Sequence, residues 1–201
     1  MPWLSQDLLF DPAFLTHERE FVAIDVETTG LDPQRDCIIE IGAQRFNLKT
    51  RLLSFCSLVK PSLKLSPAIT HLTGITPHDL EDQPEPAEIL PQFLDFLGDR
   101  ILLAHNALFD LKFINQALRQ AGLRPLNNYV IDTIWLAKIC LPPLKHYSLT
   151  KLLQALKLRA EGSHRALADA QACAAIFCKL VSQKINALPL FFNGREYRLD
   201  G

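Results

Sequence analysis

Three short segments hold the residue types best able to do chemistry in this 201-residue chain. The first is Asp25-Val26-Glu27, which ends the apolar run Phe21-Val22-Ala23-Ile24. A strand repeats every two residues, so both carboxylates face the same way. Two anions so placed repel unless a cation or a proton sits between them. Hard divalent ions such as Mg²⁺ take oxygen ligands, commonly carboxylates plus substrate phosphate. A solvated strand end is the plain alternative. The second segment is His105-Asn106-Ala107-Leu108-Phe109-Asp110, which follows the run Ile101–Ala104 and opens a helix. Open α/β sheets place their sites at the carboxyl ends of strands, which would gather Asp25, Glu27 and Asp110 at one edge. A first-turn acid facing the helix dipole is the alternative for Asp110. The third is His164-Arg165-Ala166-Leu167-Ala168-Asp169-Ala170. Five helical positions turn by roughly 500°, so His164 serves a site lined by Asp169 best from the entering loop. A histidine with its ordinary pKa of about 6.5 can take a proton from water near neutrality; a capping or surface histidine is the alternative.

These segments need a sheet to bring them together. Phe21–Ile24 reads as a central strand buried on both faces. Cys37–Phe46 and Leu52–Val59, joined by Asn47-Leu48-Lys49-Thr50, read as an antiparallel hairpin. Residues 61–86 are rich in Pro, Thr, Asp and Glu and read as an irregular connection. Helices are expected over Ala87–Leu97, Leu108–Ala121, Thr133–Cys140, Ser148–Leu156 and Ala166–Val181, the last capped by Ser163. Short strands are expected at Ile101–Ala104 and Tyr129–Ile131, and the tail pieces Leu188–Phe192 and Glu196–Leu199 as an edge strand or extended chain. The sum is an α/β fold with a mixed β-sheet flanked by helices, antiparallel on one side and parallel on the other.

Composition narrows the function classes. The chain is 48% hydrophobic and 21% charged, which excludes global disorder. No apolar run reaches the ~18 residues of a membrane helix. The N-terminus lacks a basic segment and carries Asp7 and Asp11, unlike a secretory signal. Five cysteines without a Cys-x-x-Cys pair fit free thiols in the cytoplasm and lack zinc spacing. The net charge of −1 excludes a strongly basic coat, but charge is unevenly spread. Residues 138–165 hold Lys138, Lys145, Lys151, Lys157, Arg159 and Arg165 against Glu161 alone, whereas residues 76–95 hold six acids and no Lys or Arg. A basic stretch near acidic motifs suits an enzyme on a polyanion; a solvated helix face is the alternative.

Taken together and in order, DVETTG, HNALFD and HRALADA, with ITHLTGIT at 69–76 and VIDT at 130–133, resemble the DEDDh family of 3′–5′ exonucleases, in its DnaQ-like proofreading branch. The resemblance runs from about Phe21 to Leu180. It implies a ribonuclease H-like fold and two divalent ions, Mg²⁺ or Mn²⁺, held by Asp25, Glu27, Asp110 and Asp169. It makes His164 the general base that deprotonates the attacking water, with a nucleoside 5′-monophosphate released. The His-x4-Asp spacing matches the histidine branch rather than the tyrosine branch. Thr28, Thr29, Gly30, Leu31, Leu72, Asn106 and Phe109 are the expected contacts to the 3′-terminal nucleotide, with core packing the competing role for Leu72 and Phe109. The implied substrate is nucleic acid with a free 3′ end, DNA before RNA. An RNA-trimming enzyme of the same superfamily and a non-catalytic nucleic-acid or polymerase-binding module are the competing readings. The expected bounds are an N-terminal extension over 1–20, an exonuclease domain over 21–184 and a tail over 185–201, without a membrane partner. Gln6-Asp7-Leu8-Leu9-Phe10, and less closely Ala187–Phe191, resemble peptides that dock on bacterial sliding clamps. A tail packing on its own domain is the alternative there.

Overall fold

Phe21–Thr28 forms β1, and its side chains alternate between two separate apolar clusters. Phe21 and Ala23 enter one, Val22, Ile24 and Val26 the other. The computed structural model describes residues 2–11, 13–159, 164–187, 190–192 and 195–197. A five-stranded sheet runs through it in the order β3-β2-β1-β4-β5, with β2 at Ile38–Phe46, β3 at Arg51–Leu58, β4 at Ile101–Ala104 and β5 at Val130–Asp132. β2 and β3 are antiparallel neighbours on one side of β1; β4 and β5 lie parallel on the other. This is the expected mixed sheet. The β2–β3 hairpin closes through Asn47, whose Oδ1 accepts from the Lys49 and Thr50 N–H groups at 2.9 Å, the usual way Asn forms a turn.

Helices cover both faces. α4 (Pro86–Leu97) and α5 (Leu108–Gln120) pack on the Val22 face; α6 (Thr133–Cys140), α7 (Leu149–Ala155) and α8 (Ala166–Ala187) pack on the Phe21 face. Phe21, Phe46 and Phe177 form an aromatic cluster under α8, with ring centroids 4.9–5.9 Å apart. Asp25 and Glu27 continue the Phe21 face of β1, so they emerge beneath α8 where the apolar side chains stop.

Two expectations are corrected, and between two readings of the N-terminal segment the packed one is selected. The connection over 61–86 contains two short helices, α2 (Pro67–Thr73) and α3 (Pro77–Leu80), each with proline at its start and a hydroxyl cap from Ser66 or Thr76. Proline at a first helical position fixes a helical φ at no hydrogen-bond cost, so a proline-rich stretch need not be irregular. The N-terminal segment is not a free peptide. Trp3 bridges Val130 at the β5 edge, a short helix α1 spans Gln6–Leu9, Leu4, Leu9 and Leu15 are buried, and Phe10 packs on the same cluster. Leu9 and Phe10 of the clamp-like peptide are thus used inside the fold, while Leu8 stays exposed. Finally, β6 (Leu190–Phe192) pairs antiparallel with β7 (Arg195–Tyr197) rather than joining the main sheet. The Ser163 cap, and Leu188 and Pro189, lie outside the described residues.

Candidate active site

β1 reaches further than its parallel neighbour: only Phe21–Ala23 pair with β4. Beyond that point the Val26 N–H is taken by Asp110 Oδ1 at 3.1 Å, from the first turn of α5. Asp110 is buried. On the other flank, Asp25 pairs with Gly42 and Glu27 with Glu40 in the β1–β2 register. A side chain at position 42 would run into the backbone of Ala166 and Leu167. Glycine there lets the first turn of α8 lie directly on the sheet, which sets Asp169 over β1. One carboxylate oxygen from each of Asp25, Glu27 and Asp169 then lies within 4.8 Å of the others.

Burial, and then the surrounding carboxylates Asp110, Asp169 and Glu27, push the Asp25 carboxyl well above its ordinary range. Burial and the nearby Asp169 and Glu40 raise Glu27 to about 7. Asp110 is raised to about 8 by burial, against the opposing Val26 N–H. Asp169 is raised by burial, partly offset by the His164 backbone N–H at 3.3 Å from Oδ2. Such a cluster cannot ionise fully without a compensating cation. Its donors are all hard oxygens, the ligand type that Mg²⁺ takes. The set fits a divalent ion.

His164 precedes α8 on an exposed turn, with its backbone in the left-handed region at φ 56°. That conformation is uncommon outside glycine and clusters at functional sites. Asn106, between β4 and α5, adopts φ 60° and is exposed. The Thr28 hydroxyl donates to the Gly30 carbonyl at 2.6 Å. The Thr29 hydroxyl donates to Asp36 Oδ1 at 3.1 Å and accepts from the Cys37 N–H at 3.0 Å. The Asp36 carboxylate sits where a Gly30 side chain would be. These contacts fix the turn after β1 and display Leu31, which is 84% exposed. Leu72 on α2 is half exposed. Phe109 is partly buried against Phe113, with ring centroids 5.0 Å apart.

Two residues that close the site were not singled out from sequence. Glu40 is fully buried in β2, and its carboxylate receives Arg165 Nε at 3.0 and 3.1 Å, Arg165 Nη2 at 2.6 Å and the Ala166 N–H at 2.9 Å. This fork anchors the turn carrying His164 to the sheet. The available signal was a carboxylate inside the apolar run Ile38–Ala43, which needs a partner when buried. Asp132 is the other. It caps α6 through the Ile134 N–H at 2.7 Å and holds the Ala107 N–H at 2.9 Å, tying β5 to the loop before α5. Beside it, His105 bonds Thr133 Oγ1 at 2.9 Å, and burial holds its ring below the usual histidine range.

Comparison with known proteins places this geometry among nucleases. The RNase_T family, described as exonuclease, matches residues 22–177. A PolC-type DNA polymerase III from Caldanaerobacter subterraneus subsp. tengcongensis is 40% identical over 166 residues, 83% of this chain and 12% of that protein. The chain therefore spans about an eighth of the length of such relatives. The DNA polymerase III subunit epsilon of Treponema pallidum is 35% identical over 178 residues, 87% of this chain and 83% of the relative. Among solved structures, E. coli exonuclease I in complex with a dA16 oligonucleotide shares the fold at TM-score 0.73 and 19% identity, over 83% of this chain and 42% of that one. Exonuclease X in complex with 5′ overhanging duplex DNA aligns at TM-score 0.67 and 27% identity, over 81% and 91%.

Proposed function

The chain belongs to the exonuclease family, the DnaQ-like 3′–5′ exonucleases, and on that premise we propose that it removes nucleotides from the 3′ end of DNA by hydrolysing the terminal phosphodiester. The carrying observation is the convergence of Asp25, Glu27 and Asp169 within 4.8 Å, with Asp110 buried beside them. Asp25, Glu27, Asp110 and Asp169 would hold two divalent ions, Mg²⁺ or Mn²⁺. Bound there, the ions would supply Lewis-acid stabilisation of the charge that builds on phosphate and on the leaving 3′ oxygen.

The protein's own groups do the rest. His164, on its exposed turn, removes the proton from the attacking water. The Asp169 carboxylate accepts the His164 N–H and so holds that turn against the site. The turn Thr28–Gly30, fixed by its internal hydrogen bonds, presents backbone and Leu31 to the terminal nucleotide, and Leu72 and Phe109 offer apolar surface for its base. Asn106 reaches the phosphate. DNA is favoured over RNA because the relatives are named as DNA polymerase III components and exonuclease X was solved with DNA. We take residues 21–184 as the catalytic unit, acting in the cytoplasm alone or beside a polymerase. Among the described residues no helix is long and apolar enough to cross a membrane.

The test is degradation of matched DNA and RNA oligomers labelled at either end, with and without chelator. Shortening from the 3′ end that stops with EDTA and is faster on DNA is expected; 5′ shortening or chelator-resistant release overturns the proposal. His164→Ala should lower the rate about 10²–10⁴-fold, the usual worth of a general base, while Mg²⁺ still raises the melting temperature. Loss of that thermal shift with the rate per bound site retained would remove His164 from the base role.

A further inference from the structure

Beside the carboxylates, the first residues of the chain build a second feature. Trp3 and Gln6 line a cleft of about 590 Å³ together with Trp135 and Lys138 of α6. Val130 and Asp132 of β5, Asn106 and Leu108 also line it. Trp3 and Leu108 are about half exposed, so indole and aliphatic surface face solvent. Trp3 and Leu108 also line a neighbouring cleft of about 250 Å³ with Lys112 and Arg119.

The charge balance selects an occupant. Three cations, Lys138, Lys112 and Arg119, border the two clefts. Among the described residues the one acid lining them is Asp132, whose oxygens already receive three backbone N–H groups, from Ala107, Ile134 and Trp135. Flat apolar surfaces interleaved with cations suit unpaired bases on a phosphate chain. Through Asn106 and Leu108 the lining reaches the segment that ends in Asp110. Asp132 pairs with Ala104 of β4, just ahead of Asn106, and β5 lies two strands, about 10 Å, from β1.

We propose that the Trp3–Trp135 cleft binds unpaired nucleotides of the DNA strand upstream of the 3′ end being cut. The inference rests on the function proposed above and adds a subsite part of whose lining, Trp3–Gln6, precedes the matched family region at residues 22–177. The subsite makes affinity grow with strand length while leaving chemistry at the terminal phosphodiester unchanged.

The experiment measures KM and kcat on oligodeoxythymidylates of two to ten nucleotides and on the nitrophenyl ester of thymidine 5′-phosphate, together with binding of a labelled ten-mer in EDTA by fluorescence anisotropy. Trp3→Ala and Trp135→Ala should each raise KM and the ten-mer dissociation constant about tenfold, the scale of one lost base stack. Both should leave kcat and ester hydrolysis within about twofold of the parent chain. Trp135→Phe, which keeps an aromatic face and protects against misfolding, should restore most of the affinity, and the exposed Lys138→Glu should weaken it. Ten-mer affinity unchanged in both tryptophan variants overturns the proposal, as does unchanged affinity with selective loss of binding to an apolar peptide. Failure of the parent chain to hydrolyse any substrate would instead fall on the proposed function, because the anisotropy comparison still reports the subsite.

Discussion

The two ends of β1 treat acids in opposite ways. Glu20, just before the strand, is gripped by Arg45 Nη2 and Arg100 Nε, each at 2.7 Å. Those bonds hold its carboxyl below the ordinary range. At the far end burial, and then the facing acids, Asp169 foremost for Glu27 and Asp110 for Asp25, push the Asp25 and Glu27 carboxyls up. The cation on that side, Arg165, is spent on Glu40. One end is electrostatically complete, whereas the other carries excess negative charge that only an added cation or protons relieve. Carboxylates stand at both ends of one strand, so carboxylates alone do not mark a site. Their lack of a cation held by hydrogen bonds does.

The largest break comes from Asp25→Ala. Hydrolysis should fall by about a thousandfold or more, since charge stabilisation at the reacting phosphate is lost. The metal-free variant should melt no lower than the parent chain, because removing one anion from a crowded cluster relieves repulsion. The parent should gain stability with Mg²⁺ by mass action and the variant should gain little. Calorimetry with and without Mg²⁺, beside a rate assay, checks all three. A variant that turns over normally, or unfolds in EDTA while the parent does not, would show Asp25 to be structural.

Next is Glu40→Gln, which tests whether the fork to Arg165 sets the site. Glu40 is buried but Arg165 is half exposed, so losing the charge costs about 1–3 kcal/mol, and the turn bearing His164 loses its anchor. Displacing catalytic groups by an ångström costs about a hundredfold in rate, so a loss of about ten- to a hundredfold in kcat is expected, with KM little changed. Thermal melts and steady-state kinetics decide this. Full activity in a destabilised variant would confine Glu40 to the fold.

Much of this site could be read before any coordinates. The period of two at Asp25 and Glu27, the apolar strand before them and the helix starts at Asp110 and Asp169 are local signals, and local signals survive in a sequence. Glu40 was harder because its partner lies 125 residues away, and a pairing over that distance leaves no local pattern. The role of Gly42 was equally hidden, for a close approach of helix and strand shows only once both are placed. At the N-terminal segment the sequence left two readings open, for a related reason. Gln6–Phe10 matches a short docking pattern, but the buried Leu9 answers to a cluster formed by α6, α7 and α8.

The two ends also differ in their response to pH in the absence of metal. Glu27 and Asp110, raised to about 7 and 8, bind more protons folded than unfolded between their ordinary values and those raised ones. Stability then falls as pH rises from about 4 to about 8. Melting in EDTA should show this decline, and Mg²⁺ should flatten it by favouring the ionised forms. A metal-free stability that climbs over the same interval would mean the acids are already compensated, and the contrast with Glu20 would collapse.

The smallest effect belongs to Glu20→Gln. Its side chain is one third exposed, so solvent screens both ion pairs and the expected loss is about 1 kcal/mol. The sign of the pH effect is opposite to that at the other end. A depressed carboxyl stabilises the fold above its ordinary pKa, and that contribution disappears as pH falls through the folded value. Glu20→Gln should therefore melt lower than the parent at neutral pH and match it in strong acid, with hydrolysis unchanged throughout. If activity fell along with stability, the two ends of β1 would be coupled through the strand, and the excess negative charge at the carboxyl end would no longer be a local property of Asp25, Glu27, Asp110 and Asp169.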